Sequence, residues 1–333
     1  YQVSGPLGKK PVVRTSFLTG ECGTAVFDSK NRIITLCPGP FSSRLFLIEP
    51  ESLDTLATLR LPARPLLLSA GFGAGGYFYL DDQDRAIIPT ANRTLVVVEV
   101  DDSGFRPLFN TVRTYDLTET VPENQSILSV LPDAFGLLWF TSSGGIVGTI
   151  DPVSGLVQFL TLPGSPAESI TKSFAVDPDP DRGGVFIVSN YALYRFDANE
   201  AKGPMITWRE PYDRGDRKKP GQTQQGSGTT PTLMGTSFIT ITDNADPRMH
   251  VLVYRRAREA DGSRQVCSIP VFEEGKSATE NSLIATERSI IVENNYGYRN
   301  FQSTLFGRTT EPGISRIDLD ANEKGCHLVW TNG

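Results

Sequence analysis

Short strand-forming runs arranged in sets of four constrain the fold of this chain more than any other feature. β-Branched and aromatic runs bounded by Gly, Pro, Asn and Asp recur throughout, and long segments with a helical period are absent. The sets follow one another about every 50 residues, which is typical of β-repeat architectures. The clearest of six sets has runs at 127–131, 137–141, 146–151 and 157–162. We therefore predict an all-β β-propeller with six blades of four antiparallel strands.

The alternatives concern the architecture and the number of blades. A β-sandwich rarely holds six similar units of four strands, so the propeller is favoured. All-β chains of this length can surround one core, so residues 1–333 are expected to form a single domain. Residues 1–20 belong to no set. Residues 12–18 either close the ring against the last blade or form the outer strand of an incomplete seventh, which leaves seven blades open.

Charge and hydropathy narrow the class of partner. The formal net charge is −6, whereas binding to nucleic-acid phosphates needs a concentrated basic surface, so no nucleic-acid partner is expected. No apolar run approaches the ~20 residues that cross a bilayer, and no basic-then-apolar leader stands at Tyr1. We expect a soluble chain without a membrane span, for which a cation is a more natural guest than an anion.

The four cysteines indicate the compartment. A hairpin with strands near 23–27 and 32–36 and a two-residue turn at 29–30 places Cys22 opposite Cys37. A disulfide between them is favoured over two reduced, buried thiols. Cys267 and Cys326 fall on outer strands of neighbouring blades, and their pairing is left open. A disulfide predicts a secreted or otherwise extracytoplasmic protein, in the periplasm or at the cell exterior.

Polar residues recur at positions that a propeller brings to one rim. The starts of innermost strands and the loops between second and third strands lie on the same face of every blade. The side chains at these positions are Glu21, Thr229, Thr230, Glu280 and Asn281 at strand starts, and Asn190, Asp243, Asn244, Glu293 and Asn294 in loops. Carboxylate and amide oxygens suit Ca²⁺, although Asn and Asp also serve simply as turn formers. The rim could bind a small-molecule ligand or substrate, or a protein through its loops.

Histidine is scarce, and this limits the chemistry. The only two histidines are His250 and His327, so a site with several histidine ligands for zinc or iron is excluded. His250 begins a strand close to the predicted rim, where it could act as a general base on a metal-polarised water. The alternative is an ordinary strand histidine. His327 lies on an outer strand and is interpreted as structural.

Several segments resemble known propellers. The run from Leu138 to Leu162 is similar to one blade of the streptogramin-lyase group. Glu21-Cys22-Gly23, Glu280-Asn281-Ser282-Leu283, and the segments 175–179 and 194–197 resemble the calcium-dependent six-bladed propellers, namely the senescence-marker/gluconolactonase, paraoxonase and strictosidine-synthase-like group. This resemblance implies that Glu21 and Asn281 bind calcium in the central tunnel. Ser282 stands where that group has glycine.

Two functional hypotheses follow. In the first, calcium held by Glu21, Asn281, Asp243 and Asn244 polarises the carbonyl of a lactone or ester, and His250 or Glu280 acts as the catalytic base. In the second, the propeller is a non-catalytic module that binds a ligand or a protein at the rim. A streptogramin-type lyase needs a histidine base in the tunnel, and the scarcity of histidine disfavours it.

Four further segments carry structural predictions. Residues 210–228, rich in Gly, Gln, Arg and Lys, and residues 295–312 are expected to be surface loops, the first of them a flap. The glycine-rich run 71–76 precedes a strand rather than a helix, so it is interpreted as a turn between blades and not as a dinucleotide site. The acidic run 177–183 is interpreted as a hairpin turn on the opposite face, with a structural calcium as the alternative.

Overall fold

The computed structural model describes residues 13–18, 22–37, 42–62, 77–199, 201–298, 303 and 310–333. Within these ranges the chain forms six four-stranded antiparallel sheets, and in each sheet the strands pair in the order in which they follow along the chain. This confirms the predicted all-β class and the six blades of four strands. The part of the chain so described contains no helix long and apolar enough to cross a membrane.

The first three blades comprise twelve strands. Blade 1 contains β1 (Ala25–Phe27), β2 (Ile33–Cys37), β3 (Ser43–Ile48) and β4 (Thr55–Leu61). Blade 2 contains β5 (Tyr79–Leu80), β6 (Ala86–Pro89), β7 (Thr94–Asp101) and β8 (Leu108–Asp116). Blade 3 contains β9 (Ile127–Pro132), β10 (Leu138–Ser142), β11 (Ile146–Ile150) and β12 (Val157–Thr161), close to the predicted bounds.

The other three blades repeat this arrangement. Blade 4 contains β13 (Ala175–Val176), β14 (Val185–Val188), β15 (Ala192–Ala198) and β16 (Pro204–Pro211). Blade 5 contains β17 (Thr232–Met234), β18 (Phe238–Thr242), β19 (His250–Arg255) and β20 (Gln265–Pro270). Blade 6 contains β21 (Ile284–Ala285), β22 (Ser289–Glu293), β23 (Ile314–Leu319) and β24 (Cys326–Asn332).

The middle strands are buried because each is covered on both faces by neighbouring blades. Every residue of β10 and β11 is buried, whereas the outermost strand β24 is mostly exposed. Strands covered on both faces become continuously apolar rather than alternating. Blades 4 and 5, for example, share a cluster in which Phe186 and Leu193 pack with Ile239 and Tyr254. Comparable clusters join blades 1 and 2, blades 2 and 3, blades 3 and 4, and blades 5 and 6.

The first hairpin has a longer turn than the sequence suggested. Asp28 pairs with Arg32, since the Asp28 amide donates to the Arg32 carbonyl at 3.0 Å, and Asn31 adopts a left-handed φ of 60°. The turn therefore contains three residues, and the register differs by one from the predicted register. Cys22 nevertheless forms its disulfide with Cys37, at a Cα separation of 4.0 Å.

The structure also bears on the second disulfide, the N-terminal residues and the first strand of blade 4. A second disulfide joins Cys267 on β20 to Cys326 on β24, and so ties the outer strands of blades 5 and 6 together. Residues 13–18 contain no strand. The predicted first strand of blade 4, 170–177, shortens to Ala175–Val176. The run 71–76 lies outside the described residues, as do 299–302 and 304–309 within the second insertion.

Candidate functional site

Residues 212–229, which we call the strap, run over the rim from blade 4 across blade 5 to blade 6. The Tyr212 hydroxyl donates to the Ser189 carbonyl at 2.5 Å, and the Lys219 ammonium donates to the Ala245 carbonyl at 2.5 Å. Further along, the Thr223 amide donates to Glu280 at 3.2 Å. The segment was expected to be a surface loop and a flap; the strap is hydrogen-bonded to three blades, and several of its side chains are buried.

Asp243 and His250 form a hydrogen-bonded pair at the rim of blade 5. Thr242 and Val251 are the last paired residues of β18 and β19, so the next residues outward on the two strands face each other. The His250 ring nitrogen Nδ1 lies 2.8 Å from Oδ2 of Asp243, and the His250 amide donates to Oδ1 at 2.6 Å. The Ala245 amide also donates to Oδ1, at 3.3 Å. The carboxylate is therefore held by backbone donors as well as by the ring.

The environment of this pair favours a basic imidazole. Asp243 is only 4% exposed, whereas 29% of the His250 side chain is exposed. The hydrogen bond that His250 donates to Asp243, together with the charge of Asp243, raises the pKa of His250 against the opposing effect of burial. When Nδ1 donates to a carboxylate, the neutral ring presents Nε2 as an acceptor. Nε2 of His250 has no hydrogen-bond partner among the described residues, so its lone pair is available to a ligand or to water.

Glu280 lies in a different group of polar side chains. Its Oε1 accepts hydrogen bonds from the Lys172 ammonium of blade 4 and from the Thr223 hydroxyl and amide of the strap. Its Oε2 is buried and has no partner among the described residues. Since neither Asp243 nor His250 is among its hydrogen-bond partners, the structure does not place Glu280 in the pair. Its assignment as a catalytic base stays a prediction.

Asn281 and Asn244 have separate roles in the described structure. Asn281 Nδ2 donates to Oε1 of Glu293, which also accepts from Asn295 at 3.0 Å. Asn244 Nδ2 donates to two strap carbonyls at 3.0 and 2.9 Å, and Oδ1 is buried without a partner in the described part of the chain. Asn244 therefore anchors the strap. Asn281, which precedes β21, is hydrogen-bonded to Glu293 at the end of β22, so it links the start and the end of the first hairpin of blade 6.

The described calcium-ligand candidates have different hydrogen-bond partners. Asp243, Asn244 and Asn281 belong to three separate hydrogen-bonded groups, and Glu21 lies outside the described residues. The described ranges hold no group of three or more His, Cys, Asp or Glu side chains that could share a metal ion. Calcium takes six to eight oxygen ligands. The predicted calcium site therefore stays a prediction, and we derive no catalytic step through calcium.

A cleft of about 430 Å³, lined largely by charged residues, lies between blades 4 and 5 near the acidic turn 177–183. Arg256, 4% exposed, places Nη2 3.0 Å from Oδ2 of Asp177, and Arg182 places Nε 3.3 Å from the same oxygen. Arg182 also pairs with Asp179 at 2.5 Å. The predicted turn is present, and its carboxylates neutralise guanidinium groups, so we interpret this cleft as an ion-pair network that joins two blades.

Two buried lysines at the rim were not predicted from the sequence. Lys172 stands just before β13 within a run interpreted as strand, and Lys219 stands in the segment interpreted as a flap. Their side chains are 9% and 1% exposed. Burial lowers the pKa of Lys219, against the opposing charge of Asp246. For Lys172 the available signal was a lysine at the start of an innermost strand, because such a residue must find a partner when buried.

Comparisons with known proteins place the chain by its fold alone. No protein-family model matches the sequence, and no curated protein matches it. A Lactobacillus plantarum protein superposes with a TM-score of 0.58 at 11% identity, over 92% of this chain and 83% of the other. The periplasmic gluconolactonase PpgL of Pseudomonas aeruginosa gives 0.57 at 10% identity, over 92% and 84%. The WD40 domain of Toxoplasma gondii coronin gives 0.56 at 10%, over 90% and 67%.

These similarities and the six sheets establish the chain as a β-propeller. At this level of identity the likeness shows the fold and not the activity. The two disulfides are consistent with a location outside the cytosol.

Proposed function

We propose that this protein is an extracytoplasmic propeller hydrolase that acts on lactones or esters, with His250 as general base and Asp243 as its positioning residue. The observation that carries the proposal is the Nδ1–Oδ2 contact of 2.8 Å, which leaves Nε2 without a partner among the described residues. A base in this orientation can reach a substrate or a water molecule on the rim.

The chemistry needs only water and the substrate. Nε2 of His250 takes a proton from water while the water oxygen attacks the carbonyl carbon of the lactone or ester. The tetrahedral intermediate collapses as the bond from the carbonyl carbon to the leaving oxygen breaks. The imidazolium returns the proton to that oxygen, which gives a hydroxy acid from a lactone, or an acid and an alcohol from an ester. Asp243 stabilises the imidazolium and fixes the ring.

Comparison with a second histidine–carboxylate pair, which is more exposed to solvent, supports the choice of His250 as the base. His327 Nδ1 lies 2.7 Å from Oδ1 of Asp320 on blade 6, but the two side chains are 59% and 40% exposed. The carboxylate of Asp243, in contrast, is buried and receives two backbone hydrogen bonds. A fixed, partly desolvated base is more effective than a mobile, hydrated one. The likeness to a periplasmic gluconolactonase is consistent with lactone chemistry and carries no more weight than the shared fold.

Calcium, which the sequence resemblance implies, stays a separate proposal. The mechanism above does not use it, so the two proposals can fail independently. Metal analysis of the purified protein, with melting curves in calcium and in chelator, tests for the ion. Loss of a bound calcium on Glu21→Gln or Asn281→Ala is the result that supports the predicted ligands.

A hydrolysis screen tests the proposed activity. Purified wild-type protein, His250→Gln and His327→Gln are assayed against aliphatic lactones, sugar lactones and aryl esters in a pH-stat, with calcium and with chelator. We expect hydrolysis by wild type and His327→Gln, with a loss of about 10²–10⁴-fold in His250→Gln, the usual contribution of a general base. Hydrolysis that survives in His250→Gln contradicts the assignment. Absence of hydrolysis in wild type favours the ligand- or protein-binding propeller.

A further inference from the structure

Three innermost strands bring polar side chains to the mouth of the central tunnel. Lys172 stands just before β13 of blade 4, Glu280 before β21 of blade 6 and Tyr77 before β5 of blade 2. Innermost strands surround the channel of a propeller. The Lys172 ammonium donates to Glu280 although the two residues are separated by 108 positions in the sequence. Blades 4 and 6 are therefore connected across the tunnel mouth by one ion pair.

Both charged groups of this pair are removed from water. The side chain of Lys172 is 9% exposed and that of Glu280 is 17% exposed. Burial, and to a lesser extent the charge of Glu280, raise the pKa of Tyr77 at the start of blade 2. Charges in such a setting are retained only when they are paired. Lys172 and Glu280 satisfy that condition for each other.

The two carboxylate oxygens of Glu280 have different environments. Oε1 of Glu280 accepts from Lys172 and twice from Thr223, while Oε2 is buried with no partner in the described chain. A cation bound to Glu280 from the tunnel would have to approach the Lys172 ammonium, and the two positive charges repel strongly in a poorly solvated site. Glu280 is therefore blocked as a ligand for calcium as long as Lys172 is present.

We propose that the ammonium of Lys172 takes the place of a metal ion at Glu280 and supplies, from within the chain, the positive charge that the sequence resemblance assigns to calcium. The ammonium links blade 4 to blade 6, and through Thr223 the same carboxylate holds the strap. Removal of the ammonium frees Glu280, with Oε2 already unpaired and Asn281 next in the chain, to bind calcium. Any calcium that the wild-type protein binds is independent of Glu280.

Calcium titrations of four proteins test this inference without any substrate, so the result is separate from that of the hydrolysis screen. Wild type, Lys172→Met, Glu280→Gln and the double variant are stripped of metal and studied by thermal melting and calorimetry with calcium chloride, and with magnesium chloride as an ionic control. We expect wild type and Glu280→Gln to respond identically to calcium. Lys172→Met alone gains a rise in Tm, roughly 4 °C at about one hundred times its Kd.

Lys172→Arg is the matched control because it keeps the positive charge, and it should gain no response to calcium. A calcium response of wild type that Glu280→Gln abolishes overturns the inference. A Lys172→Met protein that folds and gains no response to calcium overturns it as well. If Lys172→Met does not fold, the comparison between wild type and Glu280→Gln still decides whether Glu280 binds calcium.

Discussion

Nδ1 of His250 lies 2.8 Å from Oδ2 of Asp243, and the two residues face each other at the end of the β18–β19 hairpin that carries the connecting loop. The contact follows from strand register, because the pair Thr242 and Val251 puts the next residue of each strand side by side. The backbone of the same hairpin donates two hydrogen bonds to the carboxylate. The strand register therefore brings the two residues together, and backbone amides of β19 and of the connecting loop hold the carboxylate.

The first prediction concerns the pKa of His250. Because Asp243 raises this pKa, Asp243→Asn should lower it. The protein has two histidines, so an NMR titration gives two ring signals, and His327→Gln assigns them. An unchanged His250 pKa in Asp243→Asn would show that the contact does not exist in solution.

The same shift predicts a pH dependence of stability. A histidine whose pKa is raised on folding stabilises the native state fully below its unfolded pKa, about 6.5. This contribution is lost as the pH rises through the folded pKa. The free energy of unfolding lost in His250→Gln, measured by urea denaturation, should therefore be larger at pH 5.5 than at pH 8.5, as approximate test points on either side of that range. An equal loss at both pH values contradicts the prediction.

The second prediction concerns the buried ion pair of blade 4. Arg195, 1% exposed, contacts Asp197 through Nε at 2.9 Å and Nη2 at 3.0 Å. Burial raises the pKa of Asp197, but hydrogen bonds from Arg195 and Thr207 outweigh it and lower the pKa overall. Asp197→Asn should cost about 3–5 kcal/mol, because it leaves a buried guanidinium uncompensated. In wild type, this stabilisation is present above the unfolded pKa of Asp, about 3.9, and is lost as the pH falls through the folded value.

Blade 6 offers a matched control for this substitution. Arg316 and Asp318 have the same spacing and the same two-point contact, at 2.8 and 2.7 Å, but their side chains are 39% and 22% exposed. Solvent screens such a pair. Urea denaturation should therefore show a clearly smaller loss for Asp318→Asn than for Asp197→Asn, and equal losses contradict the role assigned to burial.

The third prediction compares the two disulfides. Cys267 and Cys326 are 59 residues apart, and Cys22 and Cys37 are 15 apart. If a disulfide acts by restricting the unfolded chain, the longer loop contributes about 4 kcal/mol and the shorter about 3 kcal/mol. Urea denaturation of the two double serine variants should therefore show the larger loss for Cys267→Ser/Cys326→Ser. The reverse order indicates that native contacts, and not loop closure, dominate.

The fourth prediction concerns the close approach of the strap to blade 6. A Cβ atom at Gly228 would lie 1.7 Å from the Thr279 carbonyl oxygen, so Gly228→Ala must displace backbone. We expect a loss of about 1–3 kcal/mol and faster amide exchange over the strap. Gly104→Ala is the control, because its nearest contact is 3.6 Å away. Protection of the strap equal to that of wild type in Gly228→Ala contradicts the packing described here.

The fold could be predicted from the sequence because each blade carries its own strand pattern. The runs of blade 3 match β9 to β12 within a residue or so. The disulfide of Cys22 was predicted correctly from a register that was wrong by one, since the left-handed Asn31 adds a residue to the turn. Asp81 and Asp84 form the same turn in blade 2, with φ of 59° at Asp84. In both turns Asp is followed three residues later by Asn or Asp, which tolerate a left-handed φ, and this spacing was a signal for the longer turn that the sequence offered.

The site was predictable only within a blade. Asp243 and His250 lie on one hairpin, and the sequence placed both at the rim. The partners of Glu280, in contrast, come from blade 4 and the strap, and their positions depend on how blades pack around the ring. No pattern along the chain encodes a distance between residues 108 positions apart. The contacts of Lys172 could therefore be found only in the structure.

The pH dependence of kcat/KM for hydrolysis of a lactone or ester found in the screen tests the central claim most directly. For wild type we predict a rate that rises with pH through the pKa of His250 and then reaches a plateau, as a general base requires. In Asp243→Asn this rise should shift to lower pH and end at a lower plateau, and His327→Gln should match wild type. A pH profile that is unchanged in Asp243→Asn, or a full rate in His250→Gln, would contradict the claim that this pair performs the chemistry.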